Sequence, residues 1–278
     1  MTIALYCMLY AGVLVFLIGC VVRAVMYASK PIHLRWEIYP VPHGKSGELK
    51  IMIPEILFLK GLWEFNRPMW WVSYPFHLGL YLIAAAAALL AGSALAPTAL
   101  WPVWHGAIVF CGTVGPALGL LGASGLLIRR LSARDLKPYN VPGDFFNLAL
   151  FIATTVLILT GVWLRPPGSP GPAAILKAAV HFDQTLVVPP LLAAGFMLGC
   201  ALLAYIPMTH MSHFIAKYFT YHLIRWDERG LTAGGSIGKK MAEYLTYRPT
   251  WSAPHVTANG QRTWGEVATT NPARGGVK

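Results

Sequence analysis

The sequence is poor in charge: only 12% of its 278 residues are Asp, Glu, Lys or Arg, whereas 56% are hydrophobic. An ordinary soluble domain carries about 25% charged residues, because its surface faces water. Acidic residues are the scarcest, at 11 against 22 basic ones. The uncharged stretches are long and continuous, which excludes a typical soluble domain and indicates a protein that resides in a membrane.

Cysteine is also scarce. Cys7, Cys20, Cys111 and Cys200 all lie in apolar segments, and no two of them form a Cys-x-x-Cys pair. We therefore expect neither a disulfide nor a cysteine-held metal, and interpret these residues as small hydrophobic side chains. The loops contain no iron–sulfur motif and no nucleotide-binding glycine pattern, so any redox partner is expected to be another subunit.

Apolar sequence is abundant and occurs in runs long enough to cross a bilayer, which takes about 20 residues. Five spans are predicted, at residues 3–28, 70–96, 101–128, 145–164 and 186–207. The first run starts at Thr2 without a basic leader, so no cleavable signal peptide is expected. Residues 49–65 mix apolar and charged side chains and predict an interfacial helix. The expected fold class is an all-α membrane protein with a five-transmembrane-helix bundle.

The basic residues predict the orientation of this bundle. Of the 22 Lys and Arg residues, 19 fall in segments 28–69, 129–145 and 208–278, which share one side of the membrane. Cytoplasmic loops collect Lys and Arg, so we expect the N-terminus outside and the C-terminus in the cytoplasm, with the chain in the inner (cytoplasmic) membrane. The net charge of +11 follows from this topology, and no nucleic-acid partner is expected.

The chain divides into a membrane domain at residues 1–229 and a cytoplasmic tail at 230–278. The tail is rich in Gly, Thr, Tyr, Trp and Pro without helical periodicity, yet it contains TWSAPH and QRTWGEVATTNP. Disordered tails usually lack such large aromatics. A disordered tail remains an alternative, but we expect an extended arm that docks on a cytoplasmic partner.

Histidines carry the functional hypothesis, because metal-binding side chains within membrane spans are costly and usually functional. His77 lies seven residues into the second span, and His213 lies six residues after Pro207 at the end of the fifth. Both are therefore near the cytoplasmic end at matching depth. Two neutral imidazoles from different helices can hold a membrane haem b. His210, on the same face as His213, is the alternative ligand, and an interfacial histidine bonded to water or a carbonyl is the alternative role.

Two more histidines lie toward the predicted outer side. His105 opens the third span, and His181 precedes the fifth. They could together hold a second haem, or they could be interfacial histidines with no ligand role. The sequence leaves both interpretations open.

Three segments of the chain resemble the cytochrome b family of the gamma subunit of respiratory nitrate reductase. The resemblance is closer to relatives in heterodisulfide-reductase-like and dissimilatory sulfite-reductase-associated membrane complexes. The segments are FHLGLYL after a basic first loop, LLIRRLSARDLKPYNVPGDFFNLALFI across the third and fourth spans, and IPMTHMSHFIAKYFTYHLIRWDERG after the fifth. They cover residues 1–230 approximately, in the same five-span order.

The resemblance implies electron transfer through haem b between a membrane quinone, expected to be menaquinone, and a cytoplasmic iron–sulfur subunit. The inner haem of the family is held by a histidine early in the second span and one after the proline ending the fifth, and His77 and His213 match these positions. The chain is thus expected to act as the haem b subunit of a multi-subunit quinone-linked oxidoreductase, not alone on a soluble substrate. RWDERG and TWSAPH favour a heterodisulfide-reductase-like partner.

The second haem of the nitrate reductase gamma subunits does not carry over directly. Its ligands lie further out on the same two helices, where this chain has Ala87 and, approximately, Gly195. A second haem is therefore either absent or held by His105 and His181. One haem b is expected, or two if that outer pair binds.

A quinone site is expected near the outer helix ends. Asp183 and Gln184, with His105 and His181, are the candidates, because quinone redox chemistry needs a proton acceptor within hydrogen-bond reach. An ordinary polar loop is the alternative, as is a site near the cytoplasmic haem that uses Asp144 or Asn147.

Two other function classes remain, a proton-coupled transporter and a haem-free membrane anchor subunit. Against the transporter, the sequence shows no internal repeat and no pair of broken half-helices.

Overall fold

The computed structural model describes residues 1–29, 42, 44–95, 101–226, 235–251 and 258–270. Helices make up 81% of the structure and no strand occurs among those residues, as expected of the all-α class. In chain order the helices are α1 (Thr2–Ser29), α2 (Gly44–Leu57), α3 (Lys60–Phe65), α4 (Arg67–Leu95), α5 (Trp101–Ser132), α6 (Pro142–Trp163), α7 (Pro172–Val180), α8 (Pro190–Tyr205), α9 (His213–Phe219), α10 (Ser236–Leu245) and α11 (Trp264–Thr269).

Five helices of the described chain are long and apolar enough to cross a membrane: α1, α4, α5, α6, and α8 with its 3₁₀ continuation to Met208. This confirms the predicted number of helices that are long and apolar enough to span a membrane. The fifth helix starts at Pro190, four residues later than predicted, because Pro189 before it has a non-helical ψ of 133°. Proline fits the first turn of a helix, where its missing N–H has no helical partner.

Most of the segment at 49–65, predicted as an interfacial helix, is helical, but it is not one continuous helix. The segment forms two helices, α2 and α3, and α2 begins at Gly44. They are separated at Leu59, whose φ of 51° places it in the left-handed region. A non-glycine residue there cannot continue a right-handed helix, so the chain changes direction.

The tail differs from the extended arm that we expected. Its described residues include two short helices, α10 and α11. Thr263 caps α11 through a capping box, in which Glu266 N–H donates to the Thr263 hydroxyl and Thr263 N–H donates to the Glu266 carboxylate, 2.7 Å away. The sequence TWGE carries the Thr-x-x-Glu signal for this motif. TWSAPH lies largely outside the described residues.

The chain separates into two compact units. One consists of Met1–Ser29 with Gly44–Ala216 and contains all five spans, and the described residues after Ala216 belong to the other. The boundary between membrane domain and tail at residue 229 stays a prediction.

Helices α4 and α5 approach each other closely along a line of glycines. A Cβ on Gly79 would lie 2.3 Å from the backbone nitrogen of Gly119, and a Cβ on Gly122 would lie 2.3 Å from that of Phe76. Gly115 and Gly119 have the small-xxx-small spacing that lets membrane helices pack backbone to backbone. This contact fixes the rotation and depth of α4, the helix that carries His77.

Helix α8 is held between α1 and α6 in the same way. A Cβ on Gly12 would lie 2.8 Å from the Cys200 carbonyl oxygen, and a Cβ on Gly161 would lie 2.7 Å from the Leu192 Cα. A buried apolar cluster joins α1, α7 and α8; its members are Leu5, Tyr6, Ile175, Ala178, Ala179, Val188, Leu192 and Ala193. The end of α8, from which the chain leads to His213, is thus anchored to two neighbouring spans.

Candidate functional site: a pair of histidines

His77 is oriented by its own helix. Its Nδ1 lies 2.7 Å from the carbonyl oxygen of Ser73, one turn earlier in α4. A carbonyl can only accept, so Nδ1 carries the proton and Nε2 keeps its lone pair. The neutral imidazole is therefore in the tautomer that can bind a metal through Nε2.

His213 is oriented by the same kind of contact. It begins α9, and its Nδ1 lies 3.1 Å from the carbonyl oxygen of His210. The proton again belongs on Nδ1, which leaves the Nε2 lone pair available. A hydrogen bond from the non-ligating nitrogen to a backbone carbonyl is the usual partner of a metal-binding imidazole.

The structure brings these two rings together. Their centroids are 6.1 Å apart, and their planes are inclined by 68°. A metal atom that bound one nitrogen of each ring, through bonds of about 2 Å, would bring the two rings about this close together. The two imidazoles that the sequence assigns to one depth are thus neighbours, at a separation that fits one metal atom between them.

The His77 side of the site is fixed by packing around Phe76. The Phe76 ring meets the Phe151 ring of α6 edge-on at 5.2 Å, and its backbone lies against Gly122 of α5. A further edge-on contact, at 5.5 Å, joins the rings of Phe76 and His77. Three spans therefore contribute to the position of this imidazole.

The His213 side is held by a well-anchored loop. After α8 the chain makes two 3₁₀ turns, Ile206–Met208 and His210–Ser212, and the Thr209 hydroxyl caps the second by accepting from Met211 N–H. The Arg23 Nε of α1 donates to the Pro207 carbonyl at 2.7 Å. These contacts hold the loop against the end of the first span.

The ring of His210, the alternative ligand, contacts a cluster of polar side chains. Its Nε2 lies 3.2 Å from the Asn147 amide nitrogen and 3.4 Å from the Asp144 carboxylate. The other oxygen of that carboxylate accepts from Arg130 at 2.7 Å. The geometry therefore favours His213 over His210 as the partner of His77. Sequence reasoning named Asp144 and Asn147 only as quinone contacts and did not foresee that α5, α6 and the loop after α8 meet there.

We expect the Arg130–Asp144 pair to contribute measurably to stability. The Asp144 side chain is only 10% exposed, so Arg130→Met leaves a largely buried carboxylate without its cation. This should lower the free energy of unfolding by about 1–3 kcal/mol, seen as a fall in Tm of several degrees in detergent.

The matched control is Arg129→Met in the same helical turn. Arg129 pairs at 3.9 Å with Asp135, whose side chain is 66% exposed, and a surface pair of this kind contributes about 0–1 kcal/mol. Equal losses for the two variants would contradict the structural role assigned to Asp144.

The candidate outer residues are exposed. His105 lies in the first turns of α5, His181 caps the end of α7, and Asp183 and Gln184 follow it. The Asp183 carboxylate accepts from the Thr185 hydroxyl at 2.7 Å and from its backbone N–H at 2.9 Å. These two hydrogen bonds lower the pKa of Asp183 below its ordinary value. The group is therefore a poor proton acceptor at neutral pH.

The described residues show no site for a metal ion held by protein side chains alone. Among those residues, no three His, Cys, Asp or Glu side chains lie together as a metal-binding group. A haem needs fewer side-chain ligands than a bare metal ion, because the porphyrin supplies most of the ligands of its iron. The chemistry of the His77–His213 pair fits that requirement.

No protein-family model, curated protein or solved structure matches this chain. The resemblance to the nitrate reductase gamma subunits and their relatives stays a prediction.

Proposed function

We propose that this chain is the membrane cytochrome b subunit of a multi-subunit quinone-linked oxidoreductase, in which His77 and His213 would hold the iron of one haem b. The supporting observation is the ring pair itself, with centroids 6.1 Å apart and both Nδ1 atoms bonded to backbone carbonyls. Iron held in this way would supply a one-electron carrier within the bilayer.

The chain's own residues have three tasks in this function. The carbonyls of Ser73 and His210 keep the protons on Nδ1 and make the two ligating nitrogens more basic. The glycine-lined contact between α4 and α5 sets the depth of His77. The edge-on packing of Phe76 against Phe151 holds the His77 side of the site in place.

The predicted topology supports a position for this site at the cytoplasmic side of the membrane. Five crossings place the termini on opposite sides, and the basic residues favour a cytoplasmic C-terminus. His77 lies ten residues after Arg67, the first residue of α4, and His213 follows the last span. Electrons at this site would exchange with a cytoplasmic iron–sulfur, heterodisulfide-reductase-like subunit docked on the basic surface of the inner membrane.

Quinone, with menaquinone as the proposed substrate, is placed near the outer helix ends. Asp183 with its lowered pKa stays ionised and is suited to hold a hydroxyl by a hydrogen bond. Proton acceptance then falls to His105 or His181, because an imidazole nitrogen that carries a lone pair can accept a proton. The inner alternative at Asp144 is less suitable, because its carboxylate already binds Arg130 and His210.

The deciding experiment is a reduced-minus-oxidised absorption spectrum of the full-length protein, purified from cells that make ample haem. We expect a b-type alpha band and about one haem per chain. A preparation that is folded but lacks the band would remove the proposal and leave the transporter or the haem-free anchor.

The second-haem hypothesis has its own test in the double variant His105→Ala/His181→Ala. A single haem predicts that the haem-to-protein ratio is unchanged. A wild-type ratio near two that falls to one in the variant would instead assign an outer haem to these residues.

A further inference from the structure

Helix α10 has an apolar face that nothing described in its own unit covers. With 100° between successive residues, Met241, Tyr244 and Leu245 fall on one side, whereas Lys239 and Glu243 fall on the other. Lys240 lies at the border between the two sides. We call Met241, Tyr244 and Leu245 the α10 apolar face.

This face is open to solvent. Met241 is 44% exposed, Tyr244 55% and Leu245 40%, and the exposed aromatic surface continues through Tyr247 and Trp251. A ten-residue helix is marginal by itself in water. Contiguous exposed apolar surface of this kind marks an interaction site.

Helix α11 does not cover the face. Its contact with α10 is made at the C-terminal end, where a Cβ on Gly265 would lie 3.4 Å from the Leu245 carbonyl oxygen. Trp264 N–H donates to the Tyr247 carbonyl at 2.8 Å, and the Trp251 and Trp264 rings meet at 5.8 Å. These contacts brace the end of α10 and the segment after it, whereas Met241, Tyr244 and Leu245 stay exposed.

We propose that the α10 apolar face binds the anionic lipid surface of the membrane that the chain spans. Lys240, at the border of the apolar face, and Lys239 supply positive charge that anionic headgroups attract. Tyr and Trp are the side chains that prefer the headgroup level. The chemistry of the helix is that of an amphipathic helix lying in the interface plane.

The covalent connection favours lipid over a soluble acidic protein as the occupant. α10 begins 28 residues after Met208, the end of the last span. Even a fully extended chain of that length reaches only about 100 Å, so a lipid surface is always within range. Tethering of this kind gives a local concentration in the millimolar range, which a freely diffusing partner does not have.

The test is amide hydrogen exchange of residues 236–245, read by mass spectrometry on the full-length protein in lipid nanodiscs. One set of discs contains phosphatidylcholine only, and the other contains about one third phosphatidylglycerol. We expect exchange in α10 to be about tenfold slower in the anionic discs, because binding suppresses local unfolding of the helix.

Three variants separate the contributions of charge and apolar contact. Lys239→Glu/Lys240→Glu and Met241→Ser/Leu245→Ser should each abolish the difference between the two lipids, whereas Glu243→Lys should enlarge it. Exchange in α6 should not change in any variant, which shows that the bundle is intact. Equal exchange in both lipids, or protection that persists in a neutral detergent, would overturn the proposal, since protein would then cover the helix.

Discussion

Replacing His77 by alanine is expected to abolish haem binding, lowering the haem content of the purified protein about tenfold or more. In the proposed site the iron would have only two protein ligands, and one remaining imidazole would not hold it against competing water. The same loss is expected for His213→Ala, whose ring lies 6.1 Å from that of His77. The measurement is the alpha band together with the haem-to-protein ratio.

The matched controls are His210→Ala and His222→Ala. His210 is bonded through its ring to Asn147 and Asp144, and His222 stacks on Tyr218 at 4.1 Å, so neither ring is placed as a ligand. Both variants should retain haem, although His210→Ala should bind it less tightly because the loop before His213 loses an anchor. Full haem content in His213→Ala, with loss in His210→Ala, would show that the second ligand is misassigned.

Gly122→Leu is expected to disrupt the bundle itself. A Cβ at this position would lie 2.3 Å from the backbone nitrogen of Phe76, and a backbone atom cannot move aside as the end of a flexible side chain can. Helices α4 and α5 must separate, and overpacking of this kind costs about 1–3 kcal/mol or more. We expect a fall in Tm of about 10 °C, or failure to accumulate in the membrane.

The control for this variant is Gly112→Leu on the same helix. No described atom lies within 4 Å of a Cβ built at Gly112, so the leucine should be accommodated against lipid with little change in Tm. A haem readout adds a second test, because Gly122→Leu displaces Phe76 and should shift or remove the alpha band even where protein is recovered. Equal stability of the two leucine variants would contradict the close approach of α4 and α5.

Length and hydropathy alone predicted the five spans. A continuous apolar run of more than 20 residues is too long to be buried within a small soluble core. It is long enough to cross the bilayer as one helix, so its structure can be predicted from its length and composition. The bounds shifted by a few residues where caps and prolines decide them, as at Pro190, which begins α8. Segments that mix apolar and charged residues were harder to predict. The break at Leu59 depends on the backbone geometry of one residue. Helix α10 depends on an apolar periodicity that extends over only ten residues and does not show in the composition of the tail.

The His77–His213 pair was accessible from sequence because depth in a bilayer can be counted along each helix. Counting residues along a helix does not give the rotation of the helix about its axis, so it could not show that the two rings are neighbours. Nor could it show that His210 turns toward Asp144, since residues 63 positions apart in the chain, such as Asn147 and His210, meet only when α6 packs beside the loop after α8.

The sequence by itself determined the membrane class, the number of spans and the basic asymmetry, because each of these depends on composition summed along one helix or one loop. Only the tertiary structure decided which imidazole rings are neighbours, which glycines allow close backbone contact between helices, and which carboxylate pairs with Arg130. Those outcomes depend on the relative rotation of packed helices, which is set by close contacts of a few ångströms between residues distant in the chain.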